Sequence, residues 1–120
     1  MANHHASPGE IIDLHPLGDR FAEAVNATLV KSENLEVIRL ILPAGKEIPS
    51  HAVAGPITVQ CLEGRVAFRV DGKSQTLKPG QMLYLNANQV HAVKGIEDSS
   101  VLVTRQLPHP SPAAAAVAAG

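Results

Sequence analysis

The sequence predicts an all-β protein, a small antiparallel β-barrel or jelly roll, and three observations favour this fold class. Short segments rich in β-branched residues recur along the chain, and turn residues separate them at regular intervals. Asp71-Gly72 joins two such segments in the manner of a two-residue hairpin turn. No long stretch shows the apolar period of an amphipathic helix. Many short strands with closely spaced turns are typical of a sandwich or a barrel.

The predicted strands follow one another from Asn26 to the end of the barrel. The strongest is the apolar segment LEVIRLIL, which carries only two charges, Glu36 and Arg39. The turn sequences PAG, EG, DG and KPG separate successive segments. In order, we predict extended segments at residues 28–31, 35–42, 48–53, 57–62, 66–71, 74–77, 82–85, 91–93 and 100–107.

The composition changes at both ends of the chain, which divides it into three parts. Residues 1–24 form an N-terminal arm, with a short strand predicted at 11–14 and one or two helical turns at 19–24. Residues 25–107 form the single barrel domain that a chain of 120 residues predicts. Residues 108–120 are rich in proline and then alanine, and we expect a flexible tail because the alanine segment is too short for a stable helix.

Charge and aromatic content argue against nucleic acid as a partner. Ten Lys and Arg residues against eleven Asp and Glu residues give a net charge of −1, whereas a nucleic-acid binder usually carries a basic surface. The only aromatic residues are Phe21, Phe68 and Tyr84, too few for a surface on which bases stack. We therefore expect no binding to nucleic acid.

The remaining features indicate a cytoplasmic protein without a membrane partner. No apolar run approaches the length of a membrane span, and the first residues lack the basic and apolar regions of a secretory signal. Cys61 is the single cysteine, so the chain cannot form an internal disulfide.

Two segments each place a histidine among apolar residues, and their spacing resembles the two signature motifs of the cupin superfamily. In residues 43–64, five residues separate Gly45 from His51, and Gly64 closes the segment in register. In residues 78–95, Gly80 and His91 have the separation found in the second motif. The resemblance covers roughly residues 25–107 and implies an RmlC-like cupin barrel in which the two histidines share one pocket.

The motifs depart from the family pattern at the positions that matter for metal binding. Val53 stands where the resemblance implies a second histidine, and Ile57 stands where it implies a glutamate. Of the four metal ligands that the family uses, only His51 and His91 remain. Because a catalytic metal usually has three protein ligands, the resemblance implies either no cofactor or a weakly bound divalent metal.

Other side chains near the two histidines are candidates for a third ligand. Glu47 lies on the face of His51 if the first segment is regularly extended, although the spacing along a strand is too long for direct coordination without a bulge. Asn86, Asn88 and Gln89 lie just before His91 and offer amide oxygens.

The predicted pocket combines these two histidines with an apolar wall. Strand parity directs Ile57 and Cys61 to the same face, so the predicted ligand-binding residues are His51, Val53, Ile57, Cys61 and His91. Such a pocket suits a small molecule with an apolar body and one polar end, and paired imidazoles can also bind a small anion. Cys61 is expected to act as a buried apolar residue rather than as a nucleophile.

Three functions remain open from the sequence. The first is a binding module for a small molecule or anion. The second, implied by the resemblance alone, is a metal-dependent enzyme of the dioxygenase, isomerase or decarboxylase type with a two-histidine site. The third is a non-catalytic assembly partner. In each case we expect a homodimer, because small cupins commonly pair and a small barrel exposes edge strands.

Overall fold

The computed structural model describes residues 4–108, and within them the chain forms a short 3-10 helix followed by nine strands. The helix spans Gly18–Glu23. The strands are β1 (Ala27–Lys31), β2 (Leu35–Leu42), β3 (Glu47–His51), β4 (Ile57–Glu63), β5 (Val66–Val70), β6 (Lys73–Leu77), β7 (Met82–Leu85), β8 (His91–Gly95) and β9 (Ser99–Gln106).

The strands form two antiparallel sheets that face each other. The larger sheet has the order β1-β2-β9-β4-β7, and the smaller sheet has the order β3-β8-β5-β6. The predicted all-β, antiparallel jelly roll is therefore confirmed. Within the described residues the two sheets remain separate and do not close into one continuously hydrogen-bonded barrel.

The core lies between the sheets and uses alternate residues of each strand. In β4, Ile57, Val59 and Cys61 are buried, while the residues between them are more exposed. Val66 and Phe68 on β5 pack into the same cluster from the opposite sheet. The period of two that marked these strands in the sequence is thus the period of inward-facing side chains.

The hairpin between β5 and β6 shows why its turn could be predicted. Asp71 has φ of 54° and Gly72 has φ of 78°. A two-residue turn with both central residues at positive φ matches the twist of the flanking strands, and Asp-Gly is a preferred sequence for it. The pairing of Val70 with Lys73 follows directly from this turn.

The N-terminal arm differs in part from its prediction. The 3-10 helix falls where helical turns were expected, but the strand predicted at 11–14 is not formed. The residue that follows this segment is held at the outer face of the large sheet instead, where Arg39 donates a hydrogen bond to the carbonyl oxygen of His15 at 2.8 Å. A side-chain contact thus replaces the backbone ladder that a strand would need.

Two further predictions, the C-terminal tail and the homodimer, stay predictions, because the structure describes one chain and only residues 4–108 of it. The tail predicted at 108–120 falls almost wholly outside the described residues. The homodimer stays a prediction, which sedimentation of the protein at micromolar concentration tests. No helix in residues 4–108 is long and apolar enough to cross a membrane.

Candidate functional site

The two histidines of the motifs lie side by side at one end of the small sheet. His51 ends β3 and His91 begins β8, and the two are direct partners in the register of these strands. Their ring centroids are 4.4 Å apart, with the ring planes tilted by 55°. His91 is buried, at 4% exposed, and stacks near Phe68, whereas His51 is exposed. The structure therefore brings an accessible imidazole and a buried one into contact.

A β-bulge in β3 turns His51 towards the interior. Ile48 pairs with Val93 and His51 pairs with His91, so three steps on β3 face two steps on β8. The extra residue shifts the alternation of side chains, and Ile48 and His51 both come to line the same cavity. Glu47 consequently lies on the other face of the sheet, in a shallow groove beside Lys94. The sequence interpretation that Glu47 shares a face with His51 was therefore wrong, because it assumed a regular strand.

Both imidazoles are oriented by the backbone in the same way. Nδ1 of His51 lies 3.0 Å from the carbonyl oxygen of Pro49, and Nδ1 of His91 lies 3.0 Å from that of Gln89. A carbonyl oxygen can only accept, so Nδ1 of each ring must carry the proton and donate it. In the neutral rings Nε2 is then the nitrogen with a lone pair, and it is the atom available to a ligand.

A cavity of about 150 Å³ lies between the sheets at the two histidines. His51, Val53, Ile57 and His91 all line it, so four of the five predicted pocket residues meet at one place. Most of the remaining wall is aliphatic or aromatic and comes from both sheets: Ile38, Leu40, Ile48, Val59, Phe68, Val93, Val101 and Val103. The cavity is therefore an apolar chamber with a polar end.

Cys61, the fifth predicted pocket residue, lies deeper in the core. Cys61 is fully buried, and it does not line the cavity. Its Sγ is 3.4 Å from the carbonyl oxygen of Glu63 and 3.7 Å from that of Gly64. Burial raises the pKa of the Cys61 thiol, so the reactive thiolate is disfavoured.

Arg105 is a polar lining residue that the sequence analysis did not identify. It lies near the end of β9, where Val101 and Val103 also line the cavity. Strand parity carries the same face forward to Arg105. The available sequence signal was the position of Arg105, which continues the alternation of apolar residues along β9. This signal was missed because an arginine at the end of a strand usually faces solvent.

Backbone hydrogen bonds hold the loops around the mouth of the cavity. The amide of Asn88 donates to the carbonyl oxygen of Val53 at 2.7 Å, which ties the loop before β8 to the loop after β3. The amide of Gln106 donates to the carbonyl oxygen of Pro56 at 3.2 Å. Gly55 is needed here, since a Cβ on it would lie 2.0 Å from the carbonyl oxygen of Gln106. The loops at the mouth of the cavity are therefore closely packed and joined by backbone hydrogen bonds.

Within residues 4–108, no His, Cys, Asp or Glu side chain joins the two histidines as a third metal ligand. No group of three or more His, Cys, Asp or Glu residues that could hold a metal occurs among the described residues. The side-chain oxygens of Asn86 and Gln89 accept hydrogen bonds within their own loop, from Tyr84 and from the amide of Asn86. Two imidazoles in an apolar chamber therefore do not fit a metal ion held by three protein ligands.

The family relationship agrees with the fold and the paired motifs. Residues 38–105 match the family model described as the cupin domain. This match covers more than half of the chain, and the protein belongs to the cupin superfamily.

Solved structures show the same fold at low sequence identity. A protein of unknown function from Streptococcus pyogenes has a TM-score of 0.71 at 22% identity, covering 91% of this chain and 97% of its own. An RmlC-like cupin from Desulfovibrio desulfuricans has a TM-score of 0.63 at 25% identity, covering 88% and 96%. One from Methanocaldococcus jannaschii, described as a double-stranded β-helix, has a TM-score of 0.64 at 22% identity, covering 72% and 81%. No curated protein matches the sequence.

Proposed function

We propose that this cupin binds a small molecule with an apolar body and one polar end in the cavity between its sheets. The observation that supports this most strongly is the cavity itself, in which an apolar wall surrounds the paired imidazoles of His51 and His91. Pockets for small ligands combine apolar walls with a few fixed polar groups in this way.

The size of the cavity limits the ligand to a compact one. Its volume is about 150 Å³, and a dry apolar cavity of about that volume is large enough to hold benzene. A single ring or a short branched chain therefore fits, with its polar end at the mouth. A nucleotide or a sugar chain would not fit inside.

The polar end of the ligand meets a preorganised pair of nitrogens. Because Nδ1 of both His51 and His91 is held by a backbone carbonyl oxygen, neither ring has to reorient when a ligand arrives. A neutral Nε2 accepts a hydrogen bond, and a protonated one donates. Preorganisation of this kind lowers the entropic cost of binding. The proposal requires no metal.

Binding of benzyl alcohol, a ring with one hydroxyl group, tests this proposal. We expect amide resonances at Val53, Ile57 and His91 to shift on titration in a two-dimensional NMR experiment. Val103→Phe should weaken binding at least severalfold, because the larger side chain fills the cavity. His15→Ala, which removes an exposed imidazole of the arm, is the matched control and should bind as the wild type does. Shifts spread over the outer surface, or unchanged binding by Val103→Phe, would contradict the proposal.

A further inference from the structure

We propose that the ligand is a carboxylate and that Arg105 recognises its charge; this inference rests on the proposed binding function. The cavity has a cation on the large sheet as well as imidazoles on the small one. Arg105 is thereby assigned as the residue that determines specificity at this site.

The environment of Arg105 leaves its guanidinium incompletely paired. Its side chain is 28% exposed, and Nε is buried without a hydrogen-bond partner among the described residues. A buried donor without a partner is costly, and such an atom in a native structure calls for an explanation. An anionic ligand in the cavity would supply the missing acceptor.

Glu36 is the nearest carboxylate, but it does not complete the pair. Its Oε1 lies 3.6 Å from Nε of Arg105, beyond hydrogen-bond distance. Its Oε2 lies 3.2 Å from Nζ of Lys31 and accepts a hydrogen bond there. One carboxylate is thus shared between two cations.

The strand register extends this arrangement into a charged row across the large sheet, and the row ends beside the cavity. Lys31 pairs with Glu36, Glu36 pairs with Arg105, and Arg105 pairs with Ile57, which lines the cavity. Two positive charges and one negative charge leave a net positive charge in the row. A positive potential next to a low-dielectric chamber favours an anion at that end.

A carboxylate fits this position better than a larger anion does. The guanidinium presents parallel N–H groups that match the two oxygens of a carboxylate. A phosphonate or sulfonate has a third oxygen, which the two parallel N–H groups leave unmatched. The ligand class is therefore a small monocarboxylic acid with a compact apolar body.

Benzoate and benzyl alcohol, which share a ring and differ in charge, test this inference when titrated in parallel. We expect Arg105→Gln to weaken benzoate about 10- to 100-fold, the effect of losing a charge-assisted hydrogen bond, and to change benzyl alcohol less than about threefold. Arg69→Gln removes an exposed charge on the outer face of the small sheet. It is the matched control for long-range electrostatics and should leave both affinities unchanged.

A second variant tests the competing role of Glu36. Glu36→Gln removes the carboxylate that partly occupies Arg105, so benzoate should bind several times more tightly while benzyl alcohol is unaffected. If both probes bind equally and Arg105→Gln changes neither, the inference is wrong and the proposed function survives. If neither probe binds the wild-type protein, both the inference and the proposed function are wrong.

Discussion

Two arginines on opposite faces of the large sheet each lie next to a glutamate, but only one of the two pairs is complete. Arg39, on the outer face, donates to Glu63 at 3.0 Å and to Oγ of Ser100 at 3.2 Å, in addition to its bond with the arm. Glu63 also accepts from Ser100 at 2.5 Å and from the amide of Leu17 at 2.8 Å. Arg105, on the inner face, has no closer acidic contact in the described part of the chain than Oε1 of Glu36 at 3.6 Å.

This difference distinguishes an arginine that stabilises the fold, Arg39, from one that is available to bind a ligand, Arg105. The Arg39 network satisfies the charges it buries and joins the arm, β2, β4 and β9. A buried ion pair is stable only when further hydrogen bonds satisfy both partners. The Arg105 pair lacks those bonds and faces a cavity, so its remaining hydrogen-bonding capacity is available to a ligand.

The largest expected effect is on stability. Arg39→Met should lower the free energy of unfolding by about 3–5 kcal/mol, because it leaves Glu63 without its counter-charge in a nearly buried position. Arg105→Met should change it by less than about 1 kcal/mol, since the guanidinium has little pairing to lose. Urea unfolding measures both. If both variants lowered the free energy of unfolding by the same amount, the contrast between the two arginines would be wrong.

A smaller effect concerns acid stability. Burial of Glu63 favours the neutral form, but hydrogen bonds from Ser100, the amide of Leu17 and Arg39 outweigh it and hold the pKa of Glu63 below its ordinary value. A carboxyl group whose pKa is lowered by folding stabilises the folded state at pH values above its ordinary pKa of 4.5. This stabilisation is lost progressively as the pH falls below 4.5 and passes through the lowered pKa of the folded protein.

The matched variant for this prediction is Glu63→Gln, which cannot titrate. The difference in unfolding free energy between the wild type and Glu63→Gln should be largest near neutral pH and should shrink below pH 4.5. A difference that stays constant from pH 7 to pH 3 would show that Glu63 does not couple folding to protonation.

The smallest effect is on the reactivity of Cys61, which lies beside Glu63 and is fully buried. Alkylation of the native protein should be slow, because the thiol is inaccessible and its pKa is raised by burial. Arg39→Met should speed labelling by loosening this region, whereas Arg105→Met should not. Rapid labelling of the wild type would contradict the packing described here.

The fold could be predicted because its signals are local. Residues 35–42 and 82–85 were predicted with the bounds that β2 and β7 have, and Asp71-Gly72 specified its hairpin. The arm could not be predicted in the same way. Its position depends on Arg39 and Glu63, which are far from it in the sequence.

The candidate site was only partly predictable. The motif spacing indicated that His51 and His91 would meet, and Val53 and Ile57 line the same cavity as the two histidines. The bulge in β3 has no clear sequence signal, so the orientation of Glu47 was wrong. The alternation along β9 could have placed Arg105 in the cavity wall, but its contact with Glu36 depends on a long-range register that joins β9 to β2.

A crystal structure of the protein with benzoate would show whether the incomplete pair is the ligand site. We expect the ring between the two sheets, in contact with Val53 and Ile57, and a carboxylate oxygen about 2.7–2.9 Å from a guanidinium nitrogen of Arg105. Benzoate bound outside the cavity, or bound inside it with its carboxylate directed away from Arg105, would contradict this account.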